Sequence, residues 1–354
     1  MLVVAGAVAD HVSLNEYAVT PGLAQPVAPL ITVPAARAHR IDGHVLLTDV
    51  YLARVTALGY LFDAIRGAQF LPAVTVLGPQ TPPAQLTAQS FLEMAQSQAS
   101  AKAAALTRLG EHVAARDAGV VVFTVVPGSP AAPLLHVGQL VTAVDGGAVT
   151  GACGFSQALA RHDAGSTVRL TVERTTVSRR AVLVPGRTVV EPVRLGRWPR
   201  SVPRPPATPA CPGTGNPERG FLGVEAQTQV DYTYPVPISI RTTSIGGPSA
   251  GLAWTLGIID ALSNGRLTGG RTVAATGTID AGGAVGPVGG VREKTIAVER
   301  AGATVFFVPA GQRGTAEATA TPGLRVYAVR SLTQVLTDLR RLGGSVPNLR
   351  SPGS

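Results

Sequence analysis

Residues 246–251 read Gly-Gly-Pro-Ser-Ala-Gly, and residues 289–294 read Gly-Gly-Val-Arg-Glu-Lys. The first stretch is a glycine-rich turn ahead of an apolar helical run, which puts Ser249 in the first turn of a predicted helix. In the second stretch Lys294 shares one helical face with Val291 and Val298. A lysine on an apolar face is desolvated and can accept a proton near neutral pH. We therefore interpret Ser249 as a candidate nucleophile and Lys294 as its candidate base.

The residues around Ser249 fit a binding site for the oxyanion that forms when a serine attacks a carbonyl group. Gly246 and Gly247 let the backbone bend sharply and let a substrate come close. Pro248 is predicted at the first helical position, where its missing N–H group is no loss, and Ala250 follows the serine. The free N–H groups of the helix start are therefore candidate donors to an oxyanion.

The opposite face of the helix that carries Lys294 is predicted to be solvent-exposed. Its polar members are Arg292, Glu293, Glu299 and Arg300.

Several other interpretations compete for these residues. Ser249 alone fits a capping or turn serine, and the amine of Lys294 alone fits one that reaches solvent or pairs with a carboxylate. The G-x-S-x-G spacing also matches the nucleophile elbow of α/β-hydrolases, which needs a histidine after the serine. The last histidine of the chain is His162, so that mechanism lacks its base. A phosphate loop is excluded because Glu293 stands where a glycine is required.

Composition indicates a globular protein of two or three domains. The 354 residues are 45% hydrophobic and 14% charged, with 41 glycines and 28 prolines that favour short elements. The net charge of +9 comes almost entirely from arginine, and these arginines lack the interleaved aromatic side chains of a nucleic-acid platform. We predict no nucleic-acid partner, whereas attraction to an anionic membrane surface stays open.

The two cysteines and the N-terminus leave alternatives open. Cys153 and Cys211 form no C-x-x-C motif and have no companions for a metal site, so they either pair or stay free. Residues 2–9 are apolar, but this run is shorter than the roughly 20 residues that cross a bilayer. It is either the remnant of a longer anchor or a locally packed terminus.

The remaining chain alternates predicted strands, one long helix and a linker. Short apolar runs with Gly and Pro between them predict strands before residue 78, and residues 84–109 predict an amphipathic helix. Residues 186–217 are rich in Pro and Arg, which predicts an extended linker.

Part of the middle of the chain resembles a known peptide-binding fold. Residues 128–132 read Gly-Ser-Pro-Ala-Ala, and residues 137–146 read Val-Gly-Gln-Leu-Val-Thr-Ala-Val-Asp-Gly. Together they resemble the PDZ domains of bacterial proteases. The resemblance implies that an extended peptide adds to a sheet edge while a loop holds its terminal carboxylate. Leu109 and Gly110 would occupy the place of that loop.

Four motifs resemble the Lon-type proteolytic domain. They are residues 246–251, 276–279, 286–294 and 301–309. The resemblance implies that Ser249 is the nucleophile, Lys294 the general base and Thr276 the hydroxyl that positions the lysine amine, with no cofactor. It also implies assembly into rings. With the PDZ-like segment ahead of these motifs, the chain resembles the PDZ-containing, Lon-like proteases of bacteria. That resemblance implies an N-terminal transmembrane anchor with the domains outside the cytoplasm, although a complete anchor helix is not visible in this sequence.

The predicted fold class is a multidomain α+β protein with a strand-rich N-terminal region, a PDZ-like domain and a C-terminal Lon-type α/β domain. The predicted segments are 1–83 (strand-rich, with 1–14 as the anchor remnant), 84–185 (helix and PDZ-like domain), 186–217 (linker), 218–343 (proteolytic domain) and 344–354 (flexible tail).

The expected function is an ATP-independent serine endopeptidase that acts on unfolded, secreted or membrane-associated proteins and has protein or peptide substrates. The alternatives are a peptide-binding scaffold whose peptidase domain is inactive or self-cleaving, and a serine esterase or amidase that uses the same dyad.

Overall fold

The computed structural model describes residues 13–65, 68–77, 81–204, 211–214, 216, 218–242 and 245–347. The predicted anchor remnant at residues 2–9 and most of the predicted tail therefore lie outside the described residues. The chain divides into two compact units, which are described separately. The first comprises Met1–Val76, Gln96–Val113 and Tyr234–Ser354, and the second comprises Leu77–Ala95 and Ala114–Thr233.

The first unit contains a six-stranded mixed sheet with the order β18-β17-β14-β3-β1-β4. The strands β14, β17 and β18 run parallel, with β18 at the edge of the sheet, and β14 also pairs in parallel with β3. The strands β1 and β3 form a long antiparallel ribbon, and β4 pairs with β1. Their bounds are β1 Ser13–Pro26, β3 His44–Thr56, β4 Gln69–Pro72, β14 Thr272–Ala275, β17 Val305–Pro309 and β18 Arg325–Val329.

Short elements complete the first unit. Four two-residue strands form two small ladders: β2 Ile31–Thr32 with β13 Ser239–Ile240, and β15 Thr278–Ile279 with β16 Val285–Gly286. The helices of this unit are α1 Ala57–Ile65, α2 Ala73–Leu77, α5 Gly251–Leu262, α6 Val291–Arg300, α7 Arg313–Glu317 and α8 Leu332–Arg341.

Burial in the first unit follows the sequence pattern. Every residue of β17 is buried, as expected for a parallel strand covered on both faces. Every residue of α5 is buried as well, which confirms that this apolar helix is a core element. The helix α6 packs against β1 and β3, and its Val291 and Val298 belong to the same core cluster as Leu46 of β3.

The second unit is built on an antiparallel sheet with the order β11-β8-β6-β5-β12. A core of buried apolar side chains lies under one helix that covers this sheet. The bounds are β5 Ala114–Val125, β6 Leu140–Val144, β7 Gly147–Ala148, α4 Gly151–Ala160, β8 Thr167–Glu173, β9 Thr176–Val177, β10 Leu183–Val184, β11 Thr188–Arg194 and β12 Val224–Thr233.

The long predicted helix is confirmed as α3 Pro83–Arg108. In the second unit Gln89 Nε2 donates to the carbonyl oxygen of Phe123 at 2.9 Å. In the first unit Gln98 Nε2 donates to Oγ1 of Thr242 at 3.1 Å. Buried polar residues of α3 thus anchor each half of the helix within its own unit.

The structure corrects three of the predicted segment boundaries. The strands before residue 83 are half of the central sheet of the first unit, because β3 pairs with β14. The predicted linker contains β11, which pairs with β8 over seven residues. The strand β12, assigned above to the proteolytic domain, pairs with β5 instead. Each of these three boundaries depends on pairing between strands that are distant in sequence, and a local sequence pattern cannot show such pairing.

The cysteine alternatives are resolved in favour of pairing, since Cys153 and Cys211 form a disulfide bond. No helix in the described part of the chain is long and apolar enough to cross a membrane.

Candidate active site

Ser249 lies in the turn that immediately precedes α5 and is half-buried. The helix begins at Gly251, so Pro248 is not the first helical residue, as predicted, but belongs to the turn ahead of it. Gly247 has a φ of 81°, a left-handed conformation that favours glycine and lets the chain reverse here. A Cβ on Gly251 would lie 2.9 Å from Oγ of Ser97 and 3.1 Å from the backbone nitrogen of Ile279, so only glycine fits this close approach.

Three hydrogen bonds fix the serine turn. Oγ of Ser97, on α3, donates to the carbonyl oxygen of Pro248 at 2.9 Å. The N–H of Gly277 donates to the carbonyl oxygen of Ser249 at 2.9 Å, and the N–H of Leu252 donates to the carbonyl oxygen of Gly277 at 3.1 Å. The turn is thereby tied both to α3 and to the segment that follows β14, which leaves the serine little freedom to move.

Lys294 lies one turn into α6 and is only 2% exposed. Gly290 caps this helix with a φ of 65°, and the N–H of Lys294 donates to the carbonyl oxygen of Gly290 at 2.9 Å. A Cβ on Gly290 would lie 2.7 Å from Cγ1 of Val50 on β3. The start of α6 is therefore held close against β3, and the lysine side chain is enclosed.

Glu293, the neighbour of the lysine, is not on the solvent side as predicted. It is fully buried, and its Oε1 lies 3.2 Å from Nη1 of Arg292. Six of the ten residues of α6 are buried, so the covered side of this helix is wider than the one apolar stripe that its sequence shows.

Thr276 connects the two stretches that contain the predicted nucleophile and base. It is fully buried directly after β14. Lys294 Nζ donates to its Oγ1 at 3.3 Å, and the same Oγ1 donates to the carbonyl oxygen of Ser249 at 3.3 Å. The structure thus brings Ser249, Thr276 and Lys294 together through one hydroxyl group.

Burial and a nearby charge act in opposite directions on the protonation of Lys294. Burial lowers the pKa of Lys294 to about 8, because the charged ammonium loses its hydration. The negative charge of Asp49 acts in the opposite direction and stabilises the ammonium. At pH 7 a pKa of about 8 leaves about one-tenth of the lysine neutral, a far larger fraction than for an exposed lysine.

A second candidate site is an apolar groove in the second unit with a volume of about 350 Å³. Phe155 and Leu159 of α4 form one wall, and Val224 and Ala226 of β12 form the other. Trp198 closes one part of the groove, where its ring meets Phe221 edge-on at 5.0 Å between centroids. Such a groove beside an edge strand has the shape that accepts an extended peptide.

Arg219 adds a positive charge to this groove. Its side chain lies over the ring of Trp198, 4.8 Å from the ring centroid, and its Nη1 donates to the carbonyl oxygen of Thr214 at 3.1 Å. Within the described residues its buried Nε has no hydrogen-bond partner.

The structure does not place the predicted carboxylate-binding residues in this groove. Leu109 and Gly110 follow the end of α3 and belong to the first unit, and they do not line the groove. The segment ahead of β12 that lines the groove consists of Gly220, Phe221, Leu222 and Gly223. Leu109 and Gly110 precede β5, the first strand of this sheet along the chain, whereas the residues that line the groove precede β12, the last one.

Sequence reasoning also missed Ser97 and Asp49, which lie far from the serine and lysine motifs in the chain. Ser97 could be suspected only as a polar residue on a covered part of α3. Asp49 could be suspected only as a carboxylate at the end of the predicted strand 44–50.

Family models match the chain in two places. The model of the Lon protease (S16) C-terminal proteolytic domain matches residues 229–339, and the model of the PDZ domain matches residues 107–182.

Curated relatives named Lon protease match part of the chain. The relative from Koribacter versatilis is 29% identical over 121 residues, which are 33% of this chain and 15% of the relative. The relative from Methylocella silvestris is 39% identical over 92 residues, which are 26% of this chain and 11% of the relative. The chain therefore spans only a small part of the length of the curated relatives it matches.

A solved PDZ domain, from the SdrC-like protein of Listeria monocytogenes, is 19% identical with a TM-score of 0.23 and covers 31% of this chain and 90% of that chain. The PDZ assignment rests on the family model and not on this weak similarity. The chain thus combines a PDZ domain with a C-terminal serine-peptidase domain of the Lon (S16) type.

Proposed function

We propose that the protein is an ATP-independent endopeptidase that cleaves unfolded protein segments with a Ser249–Lys294 dyad. The observation that carries the proposal is the burial of Lys294 beside Thr276, whose hydroxyl also bonds to the backbone of Ser249. A buried amine with one hydroxyl partner suits a general base better than a structural cation, which would be expected to have a carboxylate within contact distance.

In the proposed reaction, neutral Lys294 takes the proton of the Ser249 hydroxyl as its oxygen attacks the scissile carbonyl carbon. The resulting ammonium returns that proton to the leaving amine, which departs with the C-terminal part of the substrate. Water then attacks the acyl-enzyme, with the lysine again acting as base, and releases the new carboxyl end. No metal or cofactor is needed to balance these steps.

The start of α5 is the proposed place for the oxyanion. The N–H groups of Gly251 and Leu252 are already bonded to the carbonyl oxygens of Pro248 and Gly277. The proposed donors are therefore the N–H groups of the turn itself, at Ser249 and Ala250, which lie ahead of these two. A helix N-terminus adds a favourable dipole at this position.

The test of this function is degradation of an unfolded protein such as casein by the purified full chain, with no nucleotide present. We expect steady turnover that does not change when ATP is added or removed. A parent protein that binds C-terminal peptides but never turns over casein would support the scaffold alternative. Hydrolysis of small esters without proteolysis would support the esterase alternative.

We further propose that the groove between α4 and β12 recruits the C-terminal end of substrates. The strand β12 pairs with β5 along one edge and is the last strand of its sheet, so within the described residues its other edge has no strand partner. A peptide can add there while its apolar side chains enter the groove, and Arg219 lies where it can attract the terminal carboxylate.

Filling this groove should weaken peptide binding. Ser156 lines the groove from α4 and is half-buried, so Ser156→Trp occupies the space without removing a core side chain. We expect at least about tenfold weaker binding, or about 1.4 kcal/mol, of peptides with an apolar C-terminus, measured by fluorescence anisotropy. The control is Val190→Trp, at a position on β11 that is 59% exposed and does not line the groove. Equal affinities for both variants would contradict the groove assignment.

We also propose that the protein lies outside the cytoplasm and forms homo-oligomers. The disulfide bond between Cys153 and Cys211 supports the first, because such bonds persist mainly in oxidising compartments. The similarity to Lon-type proteolytic domains supports the second, and association with a membrane stays part of the same proposal.

A further inference from the structure

Asp49 lies at an irregularity of the β1–β3 ribbon. Pro21 is opposite Val50 and Ala24 is opposite Thr48, so two residues of β1 face the single residue Asp49. This is a β-bulge, a feature that often redirects a side chain next to a functional site. The bulge therefore gives Asp49 an orientation that regular strand pairing would not.

The carboxylate of Asp49 is fixed on the backbone of β1. Its Oδ1 accepts the N–H of Leu23 at 2.5 Å. A Cβ on Gly22 would lie within 2.8 Å of both the carbonyl carbon and the carbonyl oxygen of Asp49, so the two chains touch and residue 22 has to be glycine. The carboxylate is thus held by main-chain contacts and not by a flexible surface partner.

The same part of β3 lies against the helix that carries Lys294. Val50, the next residue, meets the glycine that caps α6, and Lys294 follows that glycine by one helical turn. Lys294 has no carboxylate within 4.0 Å in the described part of the chain, since its amine forms no ion pair there. Asp49 therefore acts on the amine through space and does not neutralise it by direct contact.

We propose, on the basis of the proposed peptidase function, that Asp49 is a positioning residue of the active site whose negative charge tunes the proton affinity of Lys294. The dyad then has a third member that comes from the N-terminal part of the chain. Its task is to keep the buried amine a strong enough base to take the serine proton.

The direction of both pKa changes agrees with this role. Burial lowers the pKa of Lys294, and the Asp49 charge opposes that decrease. Burial raises the pKa of Asp49, while the N–H of Leu23 and the charge of Lys294 both favour its ionised form. Without Asp49 the lysine would be neutral over a wider pH range but would be a weaker base.

Among the described residues, no other carboxylate has this role. Glu293 is buried next to Lys294 in sequence but pairs with Arg292, and Glu317 pairs with Arg313 at 2.7 Å on the exposed side of α7. The strand β17, which also packs against α6, carries no titratable side chain. Among the described side chains, the remaining titratable groups of the elements packed against α6 or β3 are Glu16, Tyr17, His44, Tyr51, Arg54, Tyr60 and Asp260.

The test uses the fact that Lys102 and Lys294 are the only lysines of the chain. Labelling lysine with ¹³C at Cε gives two side-chain signals for the full-length protein, and Lys102→Arg assigns them. In Asp49→Asn we expect the titration midpoint of Lys294 to fall by about one pH unit, because a nearby opposite charge is lost. The signal of Lys102 should not move. The amide oxygen of asparagine can still accept the Leu23 N–H, so the bulge is retained.

Three further variants serve as controls for this titration. Asp49→Glu should stay close to the parent, whereas Asp49→Ser should show the lowered midpoint if the asparagine variant folds poorly. Glu16→Gln, which removes a carboxylate from β1, the strand paired with β3, should leave the titration midpoint of Lys294 unchanged. The same midpoint for Lys294 in the parent, Asp49→Asn and Asp49→Ser would overturn the proposal.

The titration needs no turnover, so it separates this inference from the proposed function. A lowered midpoint in a protein that cleaves nothing would leave Asp49 acting on Lys294 but refute the peptidase proposal. In an active protein, the acid limb of kcat against pH should move to lower pH in Asp49→Asn, by the same amount as the NMR midpoint, while the plateau falls. An unmoved limb would contradict a role for this charge in the reaction.

Discussion

Replacing Ser249 by alanine is expected to lower kcat/KM for a peptide substrate by about 10³-fold or more, because the nucleophile of the proposed acyl-enzyme is removed. KM should change little, since the alanine variant keeps the turn and its hydrogen bonds through the backbone of residue 249. A serine-directed covalent reagent should label the parent once per chain and leave the variant unlabelled. Casein degradation and labelling stoichiometry by mass spectrometry are the two measurements.

The control for this substitution is Ser239→Ala, which removes an exposed hydroxyl from β13 in the same unit. That variant should keep full activity and full labelling. Degradation by Ser249→Ala at the rate of the control would refute the mechanism. Labelling of a different serine would refute the assignment of the nucleophile even if the protein proves to be a peptidase.

The local chemistry of the site was predictable because it resides in short motifs. A serine in a glycine-rich turn and a lysine on an apolar face are both visible over a few residues, and Thr276 follows from the resemblance. The structure adds the hydroxyl of Thr276 as the physical link between them. It also shows that Lys294 is more completely enclosed than one apolar stripe implied.

The parts that sequence reasoning missed depend on pairing over long distances. The strands β1 and β3 complete the sheet that contains β14, although the whole second unit intervenes in the chain. Asp49 was missed for the same reason, because it lies far from Lys294 in the sequence. In the second unit, β12 lies beside β5 although the two strands are far apart in sequence, so the segment that lines the groove is not the one that contains Leu109 and Gly110. Hydrophobic periodicity identifies a strand, but it does not identify the strand's neighbour.

Replacing Lys294 by methionine is expected to abolish proteolysis and at the same time to stabilise the fold at neutral pH. The folded pKa is about 8, against 10.5 for an ordinary lysine. Below pH 8 the lysine is therefore protonated in both states, and the folded state carries a buried charge that costs on the order of 3 kcal/mol. Methionine has a similar volume and no charge. After the loss of the bond to Thr276, worth about 1 kcal/mol, a net gain of about 2 kcal/mol remains.

The pH dependence gives this prediction its sign. Because the pKa of Lys294 is lower in the folded protein than in the unfolded chain, the lysine destabilises the fold least above about pH 10.5, where it is neutral in both states. As the pH falls from there through about 8, this stability is lost. The advantage of Lys294→Met should therefore be full at pH 7 and should shrink between pH 8 and 10.5. Urea unfolding at several pH values measures it.

Lys102→Met is the matched control for the stability measurement. Lys102 is partly exposed, and its amine lies 4.8 Å from the ring centroid of Tyr234, a cation–π contact that methionine loses. Burial also lowers the pKa of Lys102, but its amine is partly exposed and keeps this contact, so the control should gain less stability at pH 7 than Lys294→Met. Lys294→Met that is destabilised at pH 7, or whose difference from the parent does not change between pH 7 and 10.5, would mean that the amine is solvated and charged. A solvated, charged amine could not serve Ser249 as a base.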